Sequence, residues 1–112
     1  MAKRRSIRRS GRVKDLADVL RVLRGKARIL SSRYGVRRIG VTGSFAAGNP
    51  GPGSDVDLLV EFRRPVGLEF MALAEFLEGA LDRPVDLLTP AGVESIRVRG
   101  IADAIRRAAV YV

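Results

Sequence analysis

Gly43-Ser44-Phe45-Ala46-Ala47-Gly48-Asn49-Pro50-Gly51-Pro52-Gly53-Ser54-Asp55-Val56-Asp57-Leu58-Leu59-Val60-Glu61 is the stretch on which the reading of this 112-residue chain turns. Val56 to Phe62 reads as a strand, and its continuous apolar run suits a central position covered on both faces. Along a strand, residues two apart point to one side, so the carboxylates of Asp55 and Asp57 project together while Val56 turns away. Two like charges held that close repel, and a divalent cation between them removes the repulsion. Carboxylate oxygens with open water positions suit Mg²⁺, which prefers hard oxygen ligands and substrate phosphates. Asp-x-Asp alone fits a solvated strand end equally well. Here, however, the pair opens an apolar strand directly after a Gly/Pro loop, where polar groups meet a cleft.

Upstream, Val36 to Thr42 is a second strand with β-branched Val36, Ile39 and Val41, broken by Gly43 and Ser44. A short helical stretch over Phe45 to Ala47 follows. At such a strand-to-helix switch, backbone amides attract anions, Gly43 allows close approach, and Ser44 offers a hydroxyl to a phosphate oxygen. Ser44 would equally serve as an ordinary helix cap. Before the strand, one amphipathic helix is expected from Val13 to about Tyr34, weakened at Gly25 and ended by Gly35. Downstream, a helix is expected from about Leu68 to Leu81, burying Leu68, Met71, Ala72, Leu73, Phe76, Leu77 and Ala80. Phe70 is also assigned to the core. Val85 to Leu88 is a third strand, and Ile101 to Val110 a last helix with Ile101, Ala104, Ile105 and Ala108 at helical spacing. The apolar end, Ala108 to Val112, is expected to dock on the sheet or on a partner. Asp86 lies in the third strand; if the two strands pair, it joins Asp55 and Asp57 in a three-carboxylate cluster, enough to hold two metal ions at a phosphoryl displacement. The order of elements predicts an α+β (α/β-like) fold, a small mixed β-sheet layered with helices.

Composition narrows the chemistry. With no Cys and no His, thiol nucleophiles, imidazole bases and His- or Cys-based zinc sites are excluded. The P-loop, the G-x-S-x-G elbow and G-x-G-x-x-G are absent. The net charge is +9, and Lys3, Arg4, Arg5, Arg8, Arg9 and Arg12 account for +6 of it. Residues 1–12 are therefore expected to form a disordered basic tail, able to contact nucleic acid nonspecifically or only to keep the protein soluble. No apolar run is long enough to cross a membrane, and no apolar segment follows the basic start, so a cytoplasmic location is expected.

Taken together, Gly43-Ser44, an intervening loop and Ser54-Asp55-Val56-Asp57-Leu58-Leu59-Val60 resemble the G-S-x(n)-[DE]-x-[DE] signature of the polymerase-β nucleotidyltransferase superfamily. The short chain and the wording S-D-V-D-L-L-V-E-F are most similar to its minimal, MntA-like branch. The resemblance implies a polymerase-β-type nucleotidyltransferase palm over residues 13–112. It further implies that Asp55, Asp57 and Asp86 are catalytic and hold two Mg²⁺ ions, and that Gly43 and Ser44 contact the triphosphate. It implies transfer of AMP from ATP to a tyrosine of a HEPN ribonuclease toxin, with the chain as antitoxin. Two alternatives stay open: a non-catalytic antitoxin that neutralises by binding, and transfer to a small-molecule hydroxyl. One departure stands out. Family members often carry Arg where this chain has Ala47, and Arg37, Arg63 and Arg64 are the candidates to supply the missing charge.

Overall fold

The computed structural model describes residues 12–65, 67–94 and 100–112. The tail over residues 1–11 and the side chain of Ala104 lie outside the described residues. Two helices, α1 (Leu16–Gly25) and α2 (Ala27–Tyr34), replace the single one expected. The break falls at Lys26 (φ −104°, ψ 7°), after Gly25, the poorest helix former of the segment. Asp15 caps α1 by accepting from the Asp18 amide at 2.9 Å, and Asp18 in turn accepts from the Lys14 amide at 2.9 Å. Gly35, left-handed at φ 68°, ends α2 where the sequence placed the stop.

The rest follows as β1 (Val36–Thr42), α3 (Gly43–Ala47), β2 (Val56–Phe62), α4 (Glu69–Leu81), β3 (Val85–Leu88), α5 (Pro90–Glu94), α6 (Ile101–Ala108) and β4 (Val110–Tyr111). The sheet is mixed, in the order β3-β2-β1-β4: β1 is antiparallel to β2 and to β4, and β2 is parallel to β3. The α+β fold class is as expected, with β2 inside. The apolar C-terminus docks on the sheet: Tyr111 pairs with Gly40, Val110 with Val41, and the Val112 amide donates to the Ile39 carbonyl at 3.0 Å.

One face of the sheet carries the core. Ile39, Val41, Val56, Leu58 and Val60 pack with Val19, Leu23, Leu30, Leu73 and Leu77, and Phe45 of α3 is fully buried with them. Tyr34 is a packing residue, its ring centroid 5.3 Å from that of Phe76. The buried stripe of α4 is narrower than its composition suggests. Leu73, Leu77 and Leu81 form it at steps of four, whereas Leu68 (87% exposed) and Met71 (66% exposed) are in solvent and Ala72 is exposed. Met71 precedes Leu73 by two residues, which on a helix is more than half a turn of rotation away from the core. On the opposite face of the sheet Arg38, Gly40 and Thr42 of β1 lie beside Glu61, Leu59 and Asp57 of β2. That second face carries Asp57.

Candidate active site

Thr42, Asp57 and Asp86 form a row across three strands, because the register pairs Thr42 with Asp57 and Asp57 with Asp86. Asp55 sits just before β2 and is exposed. Burial pushes the Asp57 carboxyl above its usual range, and the charges of Asp86 and then Asp55 push it further the same way. Neither ion pair among the described residues, Arg21–Asp18 and Arg38–Glu61, involves these three acids. The cluster is therefore an excess of negative charge on hard oxygen donors, which suits Mg²⁺. Among the described residues no three acids stand close enough to form a ready-made metal cage.

Gly43 supports the row from β1. Its backbone is left-handed (φ 71°), and a β-carbon there would collide with Oδ2 of Asp57. The N-cap of α3 is Thr42, so Ser44 lies inside the helix and is not the cap. Its hydroxyl is half-buried and has no hydrogen-bond partner among the described residues. A cavity of about 430 Å³ opens over the row. Thr42, Gly43, Asp57, Asp86 and Leu88 of the sheet region line it together with Ile101, Ile105 and Ala108 of α6. The structure thus gathers Gly43, Asp57 and Asp86 in one cavity and leaves Asp55 and Ser44 outside its lining.

The candidates for the missing arginine do not reach this place. Arg37 is the second residue of β1 and Arg63 follows β2, and the antiparallel register puts those ends opposite the one bearing Gly43 and Asp57. The Arg63 amide donates to the Gly35 carbonyl at 2.9 Å, its guanidinium is engaged by Ser31, and the Arg64 guanidinium lies beside Gly35. Sequence reasoning also missed three contributors. Ile101 and Ile105 read only as apolar positions at helical spacing, and in the fold they wall the cavity. Arg83, in the turn Asp82-Arg83-Pro84, is buried and bonded to the loop before Asp55. Only an Arg next to a strand start hints at it, and that is a weak signal.

A mixed four-stranded sheet with a Gly-Ser switch at the end of one strand and acidic residues on the next two strands in the sheet order defines a class, the nucleotidyltransferases. The family model described as "Nucleotidyltransferase domain" matches residues 23–112, and the chain belongs to that family. Within it, the chain is of the minimal, MntA-like kind. It is 40% identical over 98 residues to the protein adenylyltransferase MntA of Thermococcus cleftensis, spanning 87% of this chain and 95% of that one. A solved structure provisionally described as a minimal nucleotidyltransferase superposes with a TM-score of 0.68 at 34% identity, covering 87% of this chain and 95% of that one. An MntA–HpeT toxin–antitoxin structure shares the fold at a TM-score of 0.57 and 20% identity, covering 89% of this chain and 72% of that one. Among the described residues no helix is long and apolar enough to cross a membrane.

Proposed function

We propose that the chain transfers AMP from ATP to a tyrosine hydroxyl of a HEPN-type toxin and thereby acts as its cytoplasmic antitoxin. The observation that carries this reading is the cross-strand row of Asp57 and Asp86, with Asp55 two residues upstream and no cation among the described residues paired to any of them. The adenylyl-transferring relative and the toxin–antitoxin fold neighbour supply the reaction class and the kind of partner.

Asp55, Asp57 and Asp86 would hold Mg²⁺. When bound, the metal supplies charge neutralisation at the phosphates and polarises the reacting oxygens. Gly43 and Ser44 orient the triphosphate: the glycine leaves room beside Asp57, and the free Ser44 hydroxyl donates to a phosphate oxygen. Asp86 is exposed on the edge strand, so another protein reaches it first. It accepts the proton as the tyrosine oxygen attacks the α-phosphorus. The bond from that phosphorus to the bridging oxygen breaks, and pyrophosphate leaves.

The test is to incubate the purified protein with Mg²⁺, α-labelled ATP and its HEPN partner, and to follow the label. Label on a partner tyrosine that disappears with Asp57→Asn supports the reading; no label despite complex formation overturns it. A second reading, neutralisation by binding alone, is favoured by one observation: Ala47 lacks the phosphate-facing charge, and Arg37, Arg63 and Arg64 are at the far end of the strands.

A further inference from the structure

Arg83 is 7% exposed and faces no carboxylate among the described residues. Instead its Nε donates to the Val13 carbonyl at 2.8 Å. Its Nη1 meets three carbonyls of the loop: Gly51 at 3.3 Å, Pro52 at 3.1 Å and Ser54 at 3.1 Å. The guanidinium also lies 5.1 Å from the ring centroid of Phe45, the buried residue of α3. Arg12 reaches the same loop, donating to the Pro52 carbonyl at 3.2 Å and to the Asp82 carbonyl at 2.9 Å. Burial, and next the charge of Arg12, make the Arg83 cation harder to keep. A buried cation with no carboxylate partner carries a desolvation cost even where carbonyls accept from it, and an apolar side chain of similar volume commonly serves packing as well or better. Packing alone therefore does not account for an arginine at this position.

What the guanidinium does accomplish is specific to the loop. Gly51-Pro52-Gly53 has little conformational preference of its own beyond the Pro52 ring, and the chain must arrive at Asp55 in one definite path. Within the loop, Ser54 and Gly51 close a turn: the Ser54 amide donates to the Gly51 carbonyl at 3.1 Å, and the Gly51 amide to Ser54 Oγ at 2.8 Å. Arg83 binds the carbonyls at both ends of that turn. On the other side of Asp55, the Val56 amide donates to the carbonyl of Pro84, the neighbour of Arg83, at 2.9 Å. Asp55 is thus held between two attachments to one short segment, while Asp57 is fixed by the strand register.

We propose that Arg83 is a positioning residue that fixes the backbone of Asp55 relative to Asp57, and so sets the affinity of the acidic pair for a divalent cation. The inference rests on the proposed role of these two aspartates as metal ligands. It does not require Arg83 to touch metal or nucleotide. Supporting groups one step behind metal ligands typically change affinity about 10- to 100-fold when removed. By reciprocity, an ion that binds better to the ordered loop must in turn order the loop.

The experiment measures Mn²⁺ binding by electron paramagnetic resonance on the wild-type chain, Asp57→Asn, Arg83→Lys and Arg83→Met. A second arm follows hydrogen exchange of the Gly51 and Ser54 amides in the wild type with and without Mg²⁺. The expected result is wild-type binding, its loss in Asp57→Asn, and dissociation constants raised about tenfold or more in both Arg83 variants, less in Lys than in Met. Exchange at the two loop amides should slow on adding Mg²⁺. If the wild type binds no Mn²⁺, or Asp57→Asn binds it equally well, the site assignment fails, and this inference with it. If that assignment holds but folded Arg83 variants bind with unchanged affinity, the inference about Arg83 is overturned. Should neither variant fold, the wild-type exchange decides: unchanged protection at saturating Mg²⁺ overturns it.

Discussion

Gly43 and Asp57 fit together only because residue 43 has no side chain: a β-carbon there would lie 2.9 Å from Asp57 Cγ and collide with Oδ2. The backbone of residue 43 is also left-handed, at φ 71°. Gly43→Ala should therefore act twice. The conformational strain costs about 1–3 kcal/mol of stability. The displaced Asp57 carboxylate should lower nucleotidyl transfer by about 100-fold or more, since a shift of about 1 Å at a reacting centre has that effect. Thermal melts beside a transfer assay check both. A folded Gly43→Ala protein with full activity would show that Asp57 does not need this position.

Asp57→Asn should stabilise the metal-free protein at neutral pH and weaken it nowhere. The folded-state carboxyl titrates above its ordinary value of 3.8, through burial and then the charges of Asp86 and Asp55. The folded protein thus holds that proton more tightly than the unfolded chain does. Below 3.8 both states are protonated and the site costs nothing; the cost grows as pH rises and is complete above the raised folded value. The advantage of Asn should follow the same curve, reaching no more than about 1 kcal/mol because the group is partly solvated. Denaturant titrations at pH 3, 5 and 7, compared through their midpoints at a precision of about 0.2 kcal/mol, resolve the trend. An Asn variant less stable than wild type at pH 7 would contradict the repulsion.

Much of this arrangement is legible in the sequence because each part has a local cause. Glycine ends α2 and breaks β1, a Gly/Pro loop leads to Asp55, and a branched apolar run makes β2. What stayed hidden depends on contacts between distant segments. A two-residue strand such as β4 has no periodicity to read, and it exists because β1 offers it an edge. The helical spacing of α4 does not tell which apolar residues meet the sheet, so Met71 reads like Leu73. Arg83 reads like any turn arginine until Val13 and the 51–54 loop close around it. Arg38, half-exposed, likewise depends on distant partners. In the fold it pairs with Glu61 at 2.7 Å and stacks 4.0 Å from the centroid of the Tyr111 ring.

Gly40 and Tyr111 should be coupled energetically. A β-carbon at residue 40 would come within 2.8 Å of Tyr111 Cδ1, so Gly40→Ala must push the ring, and with it β4, off the sheet edge. The expected cost is about 1–3 kcal/mol, the usual range for overpacking. Tyr111→Ala loses the ring packing and its stacking with Arg38. In the double variant the added methyl no longer meets a ring, so the two losses should fall short of additivity by about 0.5–3 kcal/mol. Strict additivity in a urea-melt cycle would mean that the ring does not rest on residue 40.

The two sides of α4 should respond oppositely to substitution. Leu77 is fully buried in the core cluster, and truncating it leaves a cavity under the sheet. Leu77→Ala should therefore cost about 2–5 kcal/mol. Leu68 and Met71 are exposed, so Leu68→Ser and Met71→Gln should each change stability by no more than about 0.5 kcal/mol. The same composition would predict similar losses at all three positions if the helix buried a broad face. Chemical denaturation of the three single variants separates the cases. A loss above about 2 kcal/mol for Met71→Gln would place that side chain in the core and require α4 to be rotated on the sheet.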